Sequence, residues 1–441
     1  MNGTRAVVLG AGIIGAACAR ELALAGLEVT VLDRGGAGAA TTSHGEGNVL
    51  VSDKGPGPEL RLAQLSRRLW PEVLATIAER SPAGARCVEA AEWDPKGGIV
   101  VATTEAGAHG LAEFAATQRT ADVRADTLTT DALRAAEPCI THGHTAAVHY
   151  PEDAQVQPAA AAAALLTDAL AAGARLRTGE EVLAGVVARG GRLTGVRTPG
   201  GVVEADLFVN AAGPWSGALG ARLGAPVAVE PRRGDVLVTT PLPPTVFHKV
   251  YDADYVGAVG SSEEELQTSA VVESTRAGSV LIGSSRRRVG FDDRLRPEVL
   301  SAVAAKALRL FPSLAGVPVM RAYGGFRPYV PDHLPVVGAD PRLAGLWHAS
   351  GHEGAGIGLS VGTGRLLRDL VLGEPTEIDA HPFRVDRPAV LTPPPASRQQ
   401  NRQQNRQQNR QQGRRQRRKQ DRKWELEQDR KLEQDQEQEG A

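Results

Sequence analysis

The chain has 441 residues, 42% of them apolar, and a net charge of −1, which is enough material for two or three globular domains. Charge is unevenly spread: residues 397–441 hold 13 Lys/Arg and 8 Asp/Glu, against 37 and 43 in the body. A mildly acidic body gives no general case for nucleic-acid binding.

Arg5–Leu9 (RAVVL) reads as a short buried parallel strand. A glycine turn and a helix over residues 13–25 follow, with Gly26 as the stop signal. Glu28–Leu32 (EVTVL) is a second strand. Residues 35–57, rich in Gly, Thr and Ser, read as a long functional loop. Helix signals return at residues 59–79, and residues 83–150 mix short strands and helices. Residues 158–172 are Ala-rich and helical, and strand-like segments follow at 175–177, 181–188, 193–198, 202–204 and 206–210. Residues 226–324 read as mostly β with one helix, Pro297–Leu310. A strand at 346–349, a glycine loop and a helix at 359–372 stopped by Gly373 complete the pattern.

Nucleotide-type βα elements thus stand at the start, middle and end, separated by strand-rich segments. The expected fold class is α/β plus α+β. A discontinuous Rossmann-like domain (residues 1–82, 151–225 and 325–380) would join a mostly antiparallel β substrate domain (83–150 and 226–324). Residues 397–441 repeat RQQN and then turn basic and Gln-rich. Such a composition cannot bury a core, so a disordered low-complexity tail is expected. Cys18, Cys87 and Cys139 form no CxxC pair or zinc spacing, so no metal is assigned, and this cysteine usage fits a cytoplasmic protein. No run of 18 uncharged apolar residues occurs, so no membrane span is expected. The apolar first 25 residues imitate a signal peptide, but Glu21 interrupts them and the glycines suit a nucleotide turn better.

That turn is Gly10-Ala11-Gly12-Ile13-Ile14-Gly15, set between strand and helix. The glycines serve a tight turn, close approach to a pyrophosphate and close helix–strand packing. The helix N-terminus presents free N–H groups to phosphate. Asp33 ends the second strand, where a carboxylate can accept hydrogen bonds from ribose hydroxyls. The fingerprint alone does not choose between FAD and NAD.

Further segments do. They are Thr41-Thr42-Ser43, Glu46-Gly47-Asn48, Val182, Asn210-Ala211-Ala212-Gly213-Pro214-Trp215, Gly325-Phe326-Arg327-Pro328 and Gly351-His352-Glu353-Gly354-Ala355-Gly356-Ile357-Gly358. Together they resemble the D-amino-acid oxidase/dehydrogenase family of FAD enzymes, which includes glycine oxidase, sarcosine oxidase and D-hydroxyproline dehydrogenase. The resemblance covers about residues 4–380. It implies that Ile13, Ile14, Asp33 and Arg34 line the ADP half of FAD. Thr41, Thr42, Ser43, Glu46, Gly47 and Asn48 would follow the pyrophosphate and flavin. Val182 would meet the adenine end through its backbone. Ala212, Gly213, Trp215 and Gly325 would complete the site, with residues 352–358 wrapped around the flavin ring. Some relatives hold FAD through a Cys. The matching segment here, Arg321-Ala322-Tyr323-Gly324-Gly325, has none, so non-covalent FAD is expected.

The resemblance also makes Arg327 the partner of a substrate carboxylate, a task suited to a permanently charged guanidinium fork. Relatives often place a Tyr where this chain has Val271; Tyr251, Tyr255 and Tyr329 are candidate replacements, and Tyr255 joins the catalytic set. His44 and His352 flank the glycine loops, and His352 is carried as a further catalytic candidate. The expected chemistry is hydride transfer from the α-carbon of a small amino or imino acid to flavin N5. The donor would be a D-amino acid, glycine, an N-methyl amino acid or D-hydroxyproline. Electrons would then pass to oxygen, a quinone or a partner subunit. Two alternatives stand beside it: an oxidase domain acting on a modified tRNA base, and a flavoprotein subunit with a partner-binding tail.

Overall fold

The computed structural model describes residues 3–253 and 264–391. Tyr255 and the tail at 397–441 lie outside them. Six strands form one sheet in the order Val336–Ala339, Leu346–Ser350, Leu207–Asn210, Arg5–Leu9, Glu28–Leu32, Arg175–Arg177. All pair in parallel except Val336–Ala339, which runs against Leu346–Ser350. Parallel strands are buried on both faces. Accordingly Val7, Val8 and Leu9 of the central strand are all buried.

Four helices pack together over this sheet: Ile13–Leu24, Pro58–Arg80, Pro158–Ala171 and Gly356–Leu372. Close approach is built into their sequences. A Cβ on Gly364 would stand 2.8 Å from the Ala17 carbonyl oxygen, and one on Gly362 would stand 2.9 Å from Ser66 Oγ. The short side chains of the Pro158–Ala171 helix let it lie against Ile13–Leu24 in the same way. Arg20, Asp168 and Glu21 are buried between these helices as linked ion pairs.

An eight-stranded sheet forms the second layer, in the order Val319–Tyr329, Glu230–Thr239, Val280–Arg286, Gln267–Ser274, Lys249–Asp252, Gly98–Ala102, Ala146–Tyr150, Asp126–Thr127. Its pairs are antiparallel except Lys249–Asp252 with Gly98–Ala102. The helix Pro297–Leu310 covers one face through Val303, Ala307 and Leu310. A two-stranded ladder, Asn48–Val49 with Ala154–Gln155, and a three-stranded sheet over residues 184–204 complete the architecture. The strand carrying Arg327 pairs wholly within the larger sheet, although the sequence groups residues 325–329 with the nucleotide-type elements.

Candidate active site

A cleft opens at the carboxyl ends of the Arg5–Leu9, Leu207–Asn210 and Leu346–Ser350 strands, where open α/β sheets bind ligands. The glycine turn floors it. Gly10 has φ of +118° and its N–H donates to the Leu32 carbonyl at 2.8 Å. A Cβ there would meet the Ala211 oxygen at 2.5 Å. Gly15 is packed tighter still, its Cβ position falling against the Gly10 carbonyl oxygen. Gly12 precedes the first helix as its cap.

Asp33 lines the cleft, and its carboxylate accepts the Ala11 N–H at 2.8 Å and the Gly35 N–H at 2.7 Å. It therefore ties the glycine turn to the end of the second strand. Each oxygen keeps a further lone pair for a ligand hydroxyl. Thr42 Oγ1 accepts the Ile13 N–H at 3.1 Å, holding the loop against the helix start. Thr41 Oγ1 donates to the Phe326 carbonyl at 2.8 Å, joining the loop to the second sheet. At the far end Val182 lines the cleft, and its carbonyl accepts from Arg222 at 3.0 Å. The Arg34 guanidinium lies 4.1 Å from the Trp215 ring centre, a cation–π contact.

Of the expected residues, Gly10, Gly12, Ile13, Ile14, Asp33, Arg34, Thr41, Thr42, Glu46, Gly47, Asn48, Val182, Ala212, Gly213, Trp215, Gly325, Arg327, His352, Glu353, Gly354, Gly356 and Ile357 line this one cleft. Gly15, Ser43, Ala355 and Gly358 do not. Gly15 serves packing, and the Ser43 hydroxyl donates to the Ala39 and Ala40 carbonyls within its own turn. Gly358 lies below the cleft, its Cβ position 2.9 Å from the Asn48 carbonyl oxygen. The glycine-rich stretch thus divides: Gly354 and Gly356 face the cleft, while Gly358, Gly362 and Gly364 let the last helix approach its neighbours.

Arg327 is half-buried on the larger sheet, and its Nη1 donates to the Ser285 carbonyl at 2.8 Å. Gly234 on the neighbouring strand makes room for it: a Cβ there would lie 2.6 Å from both Arg327 Cζ and Nη2. Arg232 stands directly across from Arg327, fully buried and ion-paired with Glu353. Glu353 adopts φ of +44° and also accepts from His333 Nδ1 at 2.9 Å. Burial would raise the Glu353 carboxyl, but the His333 hydrogen bond and the Arg232 charge outweigh it and hold the group below its usual range. Glu353 thus balances the second arginine at this site.

Burial lowers His352 to about 3, so its imidazole is neutral at physiological pH. Its Nε2 pairs with Thr363 Oγ1 at 2.9 Å, and its Nδ1 is buried with no hydrogen-bond partner. His44 Nδ1 faces the Ala40 carbonyl at 2.7 Å, which fixes that nitrogen as the protonated one. Tyr251 and Tyr329 do not line the cleft. The first donates to Ser52 Oγ, and the second packs against His333. Val271 is core. Sequence reasoning missed Gly234, Val236, Glu180, Arg222 and Ser350 as lining residues. Of these, only Gly234 carried a signal, as a glycine inside an otherwise regular strand pattern.

Strand, glycine turn, helix and terminal acid in this order, with a cleft at the strand ends, define a dinucleotide-binding protein. Residues 5–370 match the family DAO, FAD dependent oxidoreductase, and the chain belongs to that family. Glycine oxidase of Geobacillus kaustophilus (strain HTA426) is 31% identical over 387 residues, covering 86% of this chain and 96% of that protein. The crystal structure of glycine oxidase from Geobacillus kaustophilus matches with a TM-score of 0.78 at 28% identity, over 88% of this chain and 99% of the other. The hydrogen cyanide synthase subunit HcnC of Pseudomonas protegens is 32% identical over 276 residues, 60% of this chain and 61% of its own length.

Proposed function

We propose that this FAD-dependent oxidoreductase oxidises a small amino or imino acid at its α-carbon. The donor class is a D-amino acid, glycine, an N-methyl amino acid or D-hydroxyproline. The observation that carries this reading is Arg327: a guanidinium seated over a glycine, on the sheet that faces the nucleotide cleft. It is suited to grip a carboxylate bidentately. Similarity to glycine oxidase over nearly the whole of that protein supports the same donor class.

The cleft fits FAD on its own chemistry. The glycine cradle excludes side chains where a pyrophosphate must approach. Asn48 Oδ1 and His352 Nδ1 are buried without partners and line the cleft, so each awaits a ligand group. Residues 10–14, Asp33, Arg34, Thr41 and Thr42 would hold the ADP half; Gly47, Asn48 and residues 352–357 would hold the flavin half. Among the described residues no cysteine lines the cleft, which supports non-covalent binding. Bound FAD supplies the acceptor for the two electrons and hydrogen that leave the α-carbon.

The protein's own contribution is placement. Arg327 fixes the carboxylate and hence the facing of the α-carbon. Glu353 pairs with Arg232, which stands directly across the strands from Arg327. His352, uncharged, offers hydrogen bonding without competing for protons. Electrons then leave to oxygen, a quinone or a partner subunit. The test is Arg327→Ala. Losing one partner of a desolvated charge pair costs about 3–5 kcal/mol, so kcat/KM should fall at least about a hundredfold with flavin retained. Near-normal turnover of a carboxylate substrate would remove the basis of the assignment.

A second reading, a flavoprotein subunit that works in an assembly, is favoured by the likeness to a hydrogen cyanide synthase subunit. Deleting residues 397–441 tests it: association lost at unchanged activity supports it, and no change in either counts against it.

A further inference from the structure

Glu46 stands on the loop that the family resemblance sets along the flavin, and its carboxylate reaches across to the larger sheet. It lines the cleft, only 8% of its surface is exposed, and its Oε1 is buried without a hydrogen-bond partner. The carboxylate lies over Gly283 of the larger sheet, where a Cβ would stand 2.9 Å from Glu46 Cδ. Two glycines of one sheet are therefore covered by two opposite charges. Gly283 carries Glu46, and Gly234 carries the Arg327 guanidinium.

Their separation follows from strand register. Leu237 pairs with Ile282 and Val238 with Leu281. One further step sets Gly283 beside Val236, two residues from Gly234. Such diagonal positions lie roughly 7–8 Å apart on one face. An α-amino acid held at both ends fits that span, with its carboxylate on one group and its nitrogen at the other. The neighbours leave this role to Glu46. Glu273 is ion-paired with Lys249, and the Tyr323 hydroxyl donates to the Gly45 carbonyl at 3.5 Å.

We propose that Glu46 binds the amino nitrogen of the substrate, its carboxylate accepting an N–H from the zwitterion whose carboxylate rests on Arg327. This rests on the amino-acid reading of the cleft and adds to it a residue that reads the amine. A carboxylate can only accept, so the buried Oε1 calls for a donor, and an ammonium group also cancels its charge. The same contact gives the amine a route to its neutral form. The N–H bond breaks, an O–H bond forms on the Glu46 carboxylate, and both charges disappear together. The cleft therefore selects primary or secondary amino acids over carboxylates of the same shape that lack the nitrogen.

The test uses the holoenzyme and two matched pairs of probes, glycine with propanoate and D-proline with cyclopentanecarboxylate, followed anaerobically through the flavin spectrum. In the unmodified protein the better-bound amino acid should bind at least about tenfold tighter than its amine-free partner, the scale of a hydrogen bond to a charged group. Equal affinity within both pairs overturns the proposal without any variant. Glu46→Gln should lose that preference while binding the amine-free acids unchanged; a retained preference overturns it, as does loss of flavin at unchanged preference. Failure of all four probes to bind falls on the Arg327 reading instead, and removes the base on which Glu46 stands.

Discussion

Gly234→Ala isolates the carboxylate anchor without touching it. The added methyl would sit 2.6 Å from Arg327 Cζ and Nη2, where about 3.5–4.0 Å is normal for carbon contacts. The guanidinium must therefore shift by roughly 1 Å, the scale on which misplacement costs about a hundredfold in rate. The backbone has no reason to object. Gly234 lies inside a regular strand outside the left-handed region, and the crowded atoms are the far end of a flexible side chain. Replacing glycine by alanine at such a site stabilises by about 0.4–1 kcal/mol. The expected result is a fall of about a hundredfold in kcat/KM for the preferred amino acid, with flavin content intact and Tm unchanged or slightly raised. Steady-state kinetics with thermal unfolding on the same preparation reads both. Turnover within twofold of the parent would refute the placement of the carboxylate at Arg327, and a large fall in Tm would show that the fold needs this glycine.

Two further outcomes follow from the cleft's floor and rim. Gly15→Ala puts a methyl 2.9 Å from the Gly10 carbonyl carbon, a backbone atom that cannot yield locally. It should destabilise by about 1–3 kcal/mol and release flavin, read by Tm and by absorbance after gel filtration. His352 is held near 3 by burial, from an ordinary 6.5, so below about pH 6.5 the unfolded chain takes up a proton the folded one refuses. Stability drawn from that difference is present above pH 6.5 and is lost as pH falls toward 3, by at most about 1.4 kcal/mol per unit. Asp153 and Glu59, both raised by burial to about 7, work in the opposite sense, so the comparison must be with His352→Gln. Urea unfolding from pH 7 to 4 should show the parent losing stability relative to the variant; parallel curves would contradict the buried neutral imidazole.

Much of this architecture is legible in local pattern. Arg5–Leu9, Glu28–Leu32 and Pro297–Leu310 begin and end where apolar runs, glycine stops and proline starts set them. Arg327 came from the family resemblance, whereas the glycine fingerprint and Asp33 were legible from the order strand, turn, helix, strand and acid. What pairing brings together was not. Gly234 and Gly283 matter because of side chains that reach them from Arg327 and Glu46, and no spacing along the chain encodes that. Strand register also carried residues 325–329 into the larger sheet, against the grouping drawn from sequence order. The glycines of the last helix looked alike in sequence and separate only in space, some facing the cleft and some facing neighbouring helices. Tyr251 stood as a candidate second contact for the carboxylate, but it is buried against Ser52 and does not line the cleft.

The most direct measurement is an anaerobic absorbance titration of the purified protein and its Arg327→Ala variant, using a panel of D- and L-amino acids and imino acids. A bound yellow flavin should bleach in the parent with at least one member of the panel, and at least about a hundredfold less efficiently in the variant. A purified protein without bound flavin, or one that bleaches equally well without Arg327, would contradict the account.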